Sequence, residues 1–337
     1  MERILVVNVN WVGDVIFSSP IFKALKEAHP NARIACLAVP RVREVLESIP
    51  FIDEVIVYDE KGKHWNPLAK LMLIFQLRRE RFDVAFLLHR SLTRALLVFL
   101  AGIPQRVGYD EKKRGKFLTH KVDFLDEQVH RSDHYLNVIE SFGIPVHDRQ
   151  CQLSVSQKAQ KDVEEILKSH DINKNDYLIV VNPGGNWDLK RWSTENYSRL
   201  ILGFIASQNI KIVISGTQKD SLLFKEMNGL VLHEAINLTG KTNLKQLIAL
   251  MSRANIVVSA DSGPLHMANS VGSTVIGIYG PTRPEITGPR GSGKAFVLQC
   301  NVGCNQEPCY YLKCPDNICM KSITVDDVKD IIKQIRN

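Results

Sequence analysis

Residues 256–268 read Ile-Val-Val-Ser-Ala-Asp-Ser-Gly-Pro-Leu-His-Met-Ala. A run of β-branched residues leads into Asp261-Ser262-Gly263-Pro264, and a helix-like period follows, so the stretch reads as a buried strand, a tight turn and a helix start. Pro264 suits the first helical position, where its missing N–H costs nothing, and Asp261 or Ser262 is placed to cap. Such a turn aims free N–H groups and the positive end of the helix dipole at one point, a ready site for a phosphate. His266 is either a satisfied core histidine or, from the first helical turn, a residue facing the ligand.

The same rhythm extends in both directions. Strand-like runs at Ile4–Val9, Arg33–Ala38, Glu54–Tyr58 and Phe82–Leu88 alternate with helical stretches at Asp14–Ala28, Arg41–Ser48 and Pro67–Arg79. After a polar passage, with a helix expected at Ser156–His170, strands recur at Tyr177–Asn182, Ile210–Ser215, Val231–Asn237, Ile256–Ser259 and Thr274–Tyr279. Alternation of this kind predicts an α/β chain of two doubly wound Rossmann-like domains facing a central cleft, with ligands at the carboxyl ends of the strands. The expected divisions are 1–155, a linker region at 156–176, 177–322 and a C-terminal helix at 323–337.

Two other strand-to-helix turns carry candidate chemistry. Asn10-Trp11-Val12-Gly13-Asp14 follows the first strand, and Asp14 there is either a helix cap or a general base. Asn182-Pro183-Gly184-Gly185-Asn186-Trp187-Asp188-Leu189-Lys190-Arg191-Trp192 opens the second half; its small residues permit close backbone approach and its two cations suit an anion. The alternative for that passage is a basic surface loop anchored by Trp192. Gly288-Pro289-Arg290-Gly291-Ser292-Gly293-Lys294-Ala295 imitates a phosphate-binding P-loop but lacks the closing Ser or Thr, and it reads as a flexible basic loop. No Asp-x-Asp triplet is present, so lysine and helix dipole would have to supply positive charge at a diphosphate.

Composition narrows the class. Hydrophobic residues make up 45% and charged residues 23% of the 337, which excludes intrinsic disorder and fibrous repeats. The longest apolar stretch, Ala95–Ile103, is far short of the roughly 18 residues of a membrane span. Asn8, Asn10 and Asp14 interrupt any signal-peptide core, so a cytoplasmic location is expected. Net charge is 43 − 36 = +7, and the stretch from Arg78 to Lys121 alone holds eleven cations against four acids, which suggests an acidic partner docking there. The aromatic-studded groove of a nucleic-acid binder is missing. Five of the seven cysteines, Cys300, Cys304, Cys309, Cys314 and Cys319, cluster near the C-terminus without paired C-x-x-C knuckles or an intervening histidine, so reduced cysteines without metal are expected.

Taken together, these passages resemble glycosyltransferase family 9, the ADP-heptose:lipopolysaccharide heptosyltransferases. The resemblance rests on ILVVNVNWVGDVIFSSP, AGIPQRVGYD, NPGGNWDLKRW, NLTGKTNLKQLIALMSRANIVVSADSGPLHMANSVGSTVIGIYGPT and the terminal CMKSITVDDV, in that order along nearly the whole chain. The PGG…KRW form is closer to heptosyltransferase II than to I. The resemblance implies a GT-B fold with an N-terminal acceptor domain and a C-terminal nucleotide-sugar domain. It also implies inverting, metal-independent transfer of heptose from ADP-heptose to Kdo-lipid A or heptosyl-Kdo-lipid A, with no cofactor. Carried onto this chain, Asp14 becomes the base, with Asn10 and Gly13 beside it on the acceptor side. Lys190 becomes the counter-charge to the leaving diphosphate, assisted by Gly184, Gly185, Asn186 and Arg191. Asp261, Ser262, Gly263 and His266 cradle that diphosphate. Gly240, Lys241 and Thr242 border the adenine, and Asp220 meets the ribose. Some relatives place hydroxyl residues where this chain has Gly185 and Asn186. Arg90, Arg94, Arg106 and Arg114 would meet the acceptor's carboxylates and phosphates, with peripheral contact at the cytoplasmic membrane face, a monomeric chain and no nucleic-acid partner. The other readings are heptosyltransferase I or III, or a GT-B nucleotide-sugar 2-epimerase.

Overall fold

Strand Arg3–Val7 (β1) buries four of its five residues, because parallel neighbours flank it and helices cover both faces. It lies between Arg33–Ala38 (β2) and Val84–Leu87 (β4), with Val7 level with Leu37 and Leu87. Glu54–Val57 (β3), Gln105–Tyr109 (β5) and His120–Val122 (β6) complete a sheet of order β3-β2-β1-β4-β5-β6, every pair parallel. The second sheet is built from Tyr177–Asn182 (β7), Ile210–Ile214 (β8), Ile236–Asn237 (β9), Ile256–Ala260 (β10), Thr274–Tyr279 (β11) and Ala295–Gln299 (β12). Its order, β12-β11-β10-β7-β8-β9, repeats the topology of the first when counted from its own first strand. This is a computed structural model of the chain, and it describes all residues except 112, 127, 206–209, 228, 305–308, 310–313 and 337, and no side chain at 205 or 230. Two compact units result, Met1–Leu153 and Ser154–Asn337. The α/β architecture expected from the alternating pattern is present in each.

Local chemistry accounts for the departures from expectation. The helix expected over 14–28 is two helices, Val12–Phe17 and Ser19–Ala28. Pro20 has no N–H to continue the first helix, and the Ser18 hydroxyl bonds the Val15 carbonyl and the buried Asn8 side chain at the break. The strand expected at 231–237 shrinks to β9, because Gly229–Glu234 is helical and buries Val231 in the core. Strands β5, β6 and β12 are short, polar-flanked or peripheral, and no alternation announces them. The stretch 156–176 holds the helix Gln157–Lys168, which packs on the helix Leu244–Arg253 within the second unit. The C-terminal helix Val325–Arg336 packs on the helix Thr194–Ile205 of that same unit.

The glycine loop at 288–295 is not the open, flexible segment its composition suggests. A Cβ on Gly293 would lie 2.0 Å from the Ser273 carbonyl oxygen, and one on Gly291 would lie 2.4 Å from that of Asn269. The glycines are there because backbone passes against backbone on the way into β12.

Candidate functional site

Both sheets reverse their strand order between two central neighbours, β1 and β4 in the first and β7 and β10 in the second. At such a switch point the connections leave toward opposite faces, and a crevice opens beyond the carboxyl ends of the strands. Asn10 and Asp14 follow β1 in the first unit, and Lys190 and Asp261 follow β7 and β10 in the second.

In the second unit the centre is Asp261, directly after β10. It is 6% exposed. Its Oδ2 accepts from Lys190 Nζ at 2.6 Å, Thr282 Oγ1 at 2.7 Å and Thr287 Oγ1 at 3.2 Å. His266 Nε2 lies 3.2 Å from Oδ1. Burial alone would raise the Asp261 pKa, but the hydrogen bond from His266 and the charge of Lys190 outweigh it and hold the carboxyl well below the usual carboxylate range. Tyr279 donates to the Thr287 carbonyl at 2.9 Å; burial, then the Asp261 charge, push its phenol far up, so it stays neutral. The sequence points to Asp261, Lys190 and His266. Thr282, Thr287 and Tyr279 arrive from the far end of β11 with no spacing signal of their own.

Helix Gly263–Ser270 begins at Ser262, whose side chain makes no capping hydrogen bond and meets Ser259 Oγ at 3.0 Å instead. Neither Asp261 nor Ser262 caps, so the first turn is left without a side-chain cap, with Pro264 in its second position. His266 is 3% exposed and turned onto Asp261, a buried ring with a defined partner.

Lys190 closes a one-turn 3-10 segment, Asp188–Lys190, and its ammonium sits 5.5 Å from the Trp187 ring centre. Trp192 anchors the loop: it is 2% exposed, its Nε1 donates to the Ile323 carbonyl at 2.9 Å, and it stands edge-on to Tyr197. Arg191 is committed to the loop itself, donating to the Gly185 carbonyl and pairing with Asp188 at 2.8 Å. Gly185 has open space where a Cβ would stand, and Asn186 is exposed.

A second wall forms where the turns after β7, β8 and β9 meet. A Cβ on Gly184 would lie 2.4 Å from Asp220 Cγ, so only glycine lets that carboxyl approach. Asp220 Oδ2 takes the Thr217 N–H and hydroxyl, each at 2.7 Å, which makes it the cap of its own turn before anything else. Gly240 adopts φ +69 and presses on Gln218, followed by exposed Lys241 and half-buried Thr242.

In the first unit, Asp14 stands in the opening turn of helix Val12–Phe17, whose N-cap is Trp11. Asp14 is therefore not the helix cap; its Oδ1 accepts from the Tyr135 hydroxyl at 2.8 Å. Tyr135 lies in helix Arg131–Glu140, and burial, followed by the Asp14 charge and hydrogen bond, pushes its phenol well above the ordinary value. It acts as a neutral donor holding the carboxylate. Sequence reading missed Tyr135, which is 121 residues away. Gly13 precedes Asp14 in the same turn, and Asn10 Nδ2 meets His89 Nε2 at 3.0 Å across the β1–β4 switch point.

The four arginines expected to meet an acceptor's anions part company. Arg94 is fully buried and donates to the Asn8 carbonyl at 2.7 Å, Asn10 Oδ1 at 2.8 Å and Glu60 at 2.6 Å. Arg114 is equally buried, donating to the Tyr109 and His89 carbonyls, and burial lowers its pKa to about 10. Arg106 spends its guanidinium on the Phe117, Ile103 and Pro104 carbonyls. These three hold backbone turns, because carbonyls at strand ends need donors and a five-donor fork supplies them. Arg90 is half-buried, with its guanidinium 3.3 Å from Glu111 and over the Phe124 ring.

All seven cysteines are free, and among the described residues no group of three or more His, Cys, Asp or Glu could hold a metal ion. Residues 305–308 and 310–313, between the clustered cysteines, lie outside the described residues.

The sequence profile of glycosyltransferase family 9 (heptosyltransferase) matches residues 71–314. Lipopolysaccharide heptosyltransferase 2 of Salmonella typhimurium is 27% identical over 317 residues, covering 89% of each chain. The fold superposes on the ADP-heptose lipopolysaccharide heptosyltransferase II of Escherichia coli with a TM-score of 0.81 at 25% identity, over 99% of this chain and 98% of that one. A family 9 glycosyltransferase of Veillonella parvula gives 0.83 at 24% identity, over 99% and 97%.

If Arg94 holds the Asn8–Asn10 turn as described, Arg94→Met should lower unfolding free energy by on the order of 3 kcal/mol, since buried acceptors lose their donor. Urea unfolding measures this. Wild-type stability combined with weakened acceptor binding would return Arg94 to the acceptor.

Proposed function

We propose that this chain, which belongs to glycosyltransferase family 9 (heptosyltransferase), transfers heptose from ADP-L-glycero-β-D-manno-heptose to the inner core of lipopolysaccharide. The observation that carries the site assignment is the Lys190–Asp261–His266 cluster at the β7–β10 switch point, beside a helix whose first turn has no side-chain cap. Together these offer an ammonium and backbone donors to a diphosphate. The similarity to heptosyltransferase 2 enzymes supports heptose as the sugar and lipopolysaccharide as the acceptor.

In this reading the acceptor hydroxyl gives its proton to Asp14 as its oxygen attacks the anomeric carbon. The bond from that carbon to the β-phosphate breaks on the opposite side, and ADP leaves with both bonding electrons. A β-linked donor thus yields an α-linked product. Asp14 requires a partner that orients it, and the neutral Tyr135 hydroxyl suits this. Lys190 meets charge that develops on the departing phosphate. In the free chain Asp261 occupies Lys190, but the three other donors on Asp261 keep that carboxylate satisfied when the ammonium turns to the diphosphate. Lysine and helix N-terminus supply the positive charge, so the reaction is metal-independent in this reading. The chain works as a monomer at the cytoplasmic face of the inner membrane, with Kdo-lipid A or its heptosylated form as acceptor.

The decisive assay is ADP release from ADP-heptose with and without each acceptor; release that ignores the acceptor would refute transfer. Asp14→Asn keeps an acceptor for Tyr135 but cannot take the proton, so turnover should fall about 10²–10⁴-fold with melting temperature and ADP-heptose affinity nearly unchanged. Transfer near the wild-type rate would remove Asp14 from the base role. Lys190→Ala should reduce turnover about 10²–10³-fold, measured as single-turnover transfer. Excess EDTA should leave the wild-type rate intact; a collapse that magnesium reverses contradicts the metal-free route.

A further inference from the structure

Helix Pro67–Arg79 is apolar on both sides. Leu73, Ile74 and Leu77 face the core of the first unit. Leu68, Leu71, Met72 and Phe75 face outward, 70%, 45%, 64% and 52% exposed, and Trp65 on the preceding turn is 70% exposed. At about 100° per residue, positions 68, 71, 72, 75 and 79 fall within one arc of the helix. An outward helix face is normally polar, and a contiguous apolar patch of this kind marks a contact surface. The patch continues onto helix Leu92–Leu100, joined through the Arg78 hydrogen bond to the Leu100 carbonyl, where Phe99 and Leu100 are 43% and 44% exposed.

Along the segment itself the charges have one sign, although Glu60 and Glu80 flank it. Residues 61–79 contain Lys61, Lys63, Lys70, Arg78 and Arg79 and no acid. A second copy would bring the same cations to a symmetric contact, where they repel; an anionic surface is drawn to them. The helix has 13 residues, too few to cross a bilayer but enough to lie along its interface, with an exposed tryptophan and terminal arginines at the edges.

We propose that the outward face of Pro67–Arg79 docks on an anionic lipid bilayer, seating Leu68, Met72 and Phe75 among acyl chains and Arg78 and Arg79 at headgroup phosphates. This deepens the function proposed above, on which it rests for the presence of a lipid-borne acceptor. The test needs no transfer. Full-length chain is floated with vesicles containing phosphatidylglycerol and with vesicles of phosphatidylcholine alone. It should bind the first, bind the second weakly, and lose most binding at about 0.5 M salt, where charge attraction is screened. Met72→Ser/Phe75→Ser should weaken binding about tenfold or more, and Arg78→Ser/Arg79→Ser should erase the preference for the anionic vesicles. Both should keep the wild-type melting temperature and ADP-heptose affinity. Absence of binding by wild type, or undiminished binding by the folded Met72→Ser/Phe75→Ser variant, overturns the proposal. So does a wild-type dimer in light scattering that the same variant abolishes, because the face is then occupied by a second copy. Vesicle binding that follows the pattern above in a preparation without transferase activity upholds docking while counting against the proposed reaction.

Discussion

A parallel sheet that grows outward from a central pair must send its connections to opposite faces, and the carboxyl ends of that pair are the one place no connection covers. This chain builds that constraint twice, at β1–β4 and at β7–β10, and Asn10, His89, Lys190 and Asp261 sit on the four turns so exposed. Asn10 and His89 meet across the first gap, and Lys190 and Asp261 across the second. The rest of each unit keeps those turns in place. Apolar strands fix the level at which each turn begins, and anchors such as Trp192 fix where it ends.

The two units hold their charged groups differently, and the difference follows from what each group must do. Asp14 leans on a phenol that burial and the neighbouring carboxylate keep neutral, so it is oriented without being neutralised. Lys190 leans on a full counter-charge, which would lock it were Asp261 not also served by Thr282, Thr287 and His266. A carboxylate with several donors can share one of them with an incoming anion at modest cost. A lone buried ion pair could not, since withdrawing one partner strands the other.

Positive charge is plentiful in the first unit, and the fold divides it between two uses. Arg94, Arg106 and Arg114 are drawn inward, where carbonyls at turns need donors that no strand provides. Lys61, Lys63, Arg78 and Arg79 stay at the surface beside an uncovered apolar stripe. Positive charge thus stiffens the turn that carries Asn10 and also fringes an exposed face.

The α/β class, the two-unit organisation and the turns that matter are legible in the residue order, because buried parallel strands are continuous apolar runs and turn residues punctuate them. That order also singles out Asp14, Lys190, Asp261 and His266, since polar residues at the ends of such strands stand out against their surroundings. Their partners come from the folding of distant elements. Tyr135 reaches Asp14, and Thr282 and Thr287 reach Asp261, through the placement of whole elements, which no local spacing encodes. Burial likewise separated the arginines: in sequence Arg90 and Arg94 are four apart and equally basic, yet one is half-buried and the other lies fully inside the fold. The outward stripe of Pro67–Arg79 escaped for the opposite reason. A helix apolar on both faces gives no amphipathic signal, and only the packing of Leu73, Ile74 and Leu77 against the sheet shows which face is left uncovered.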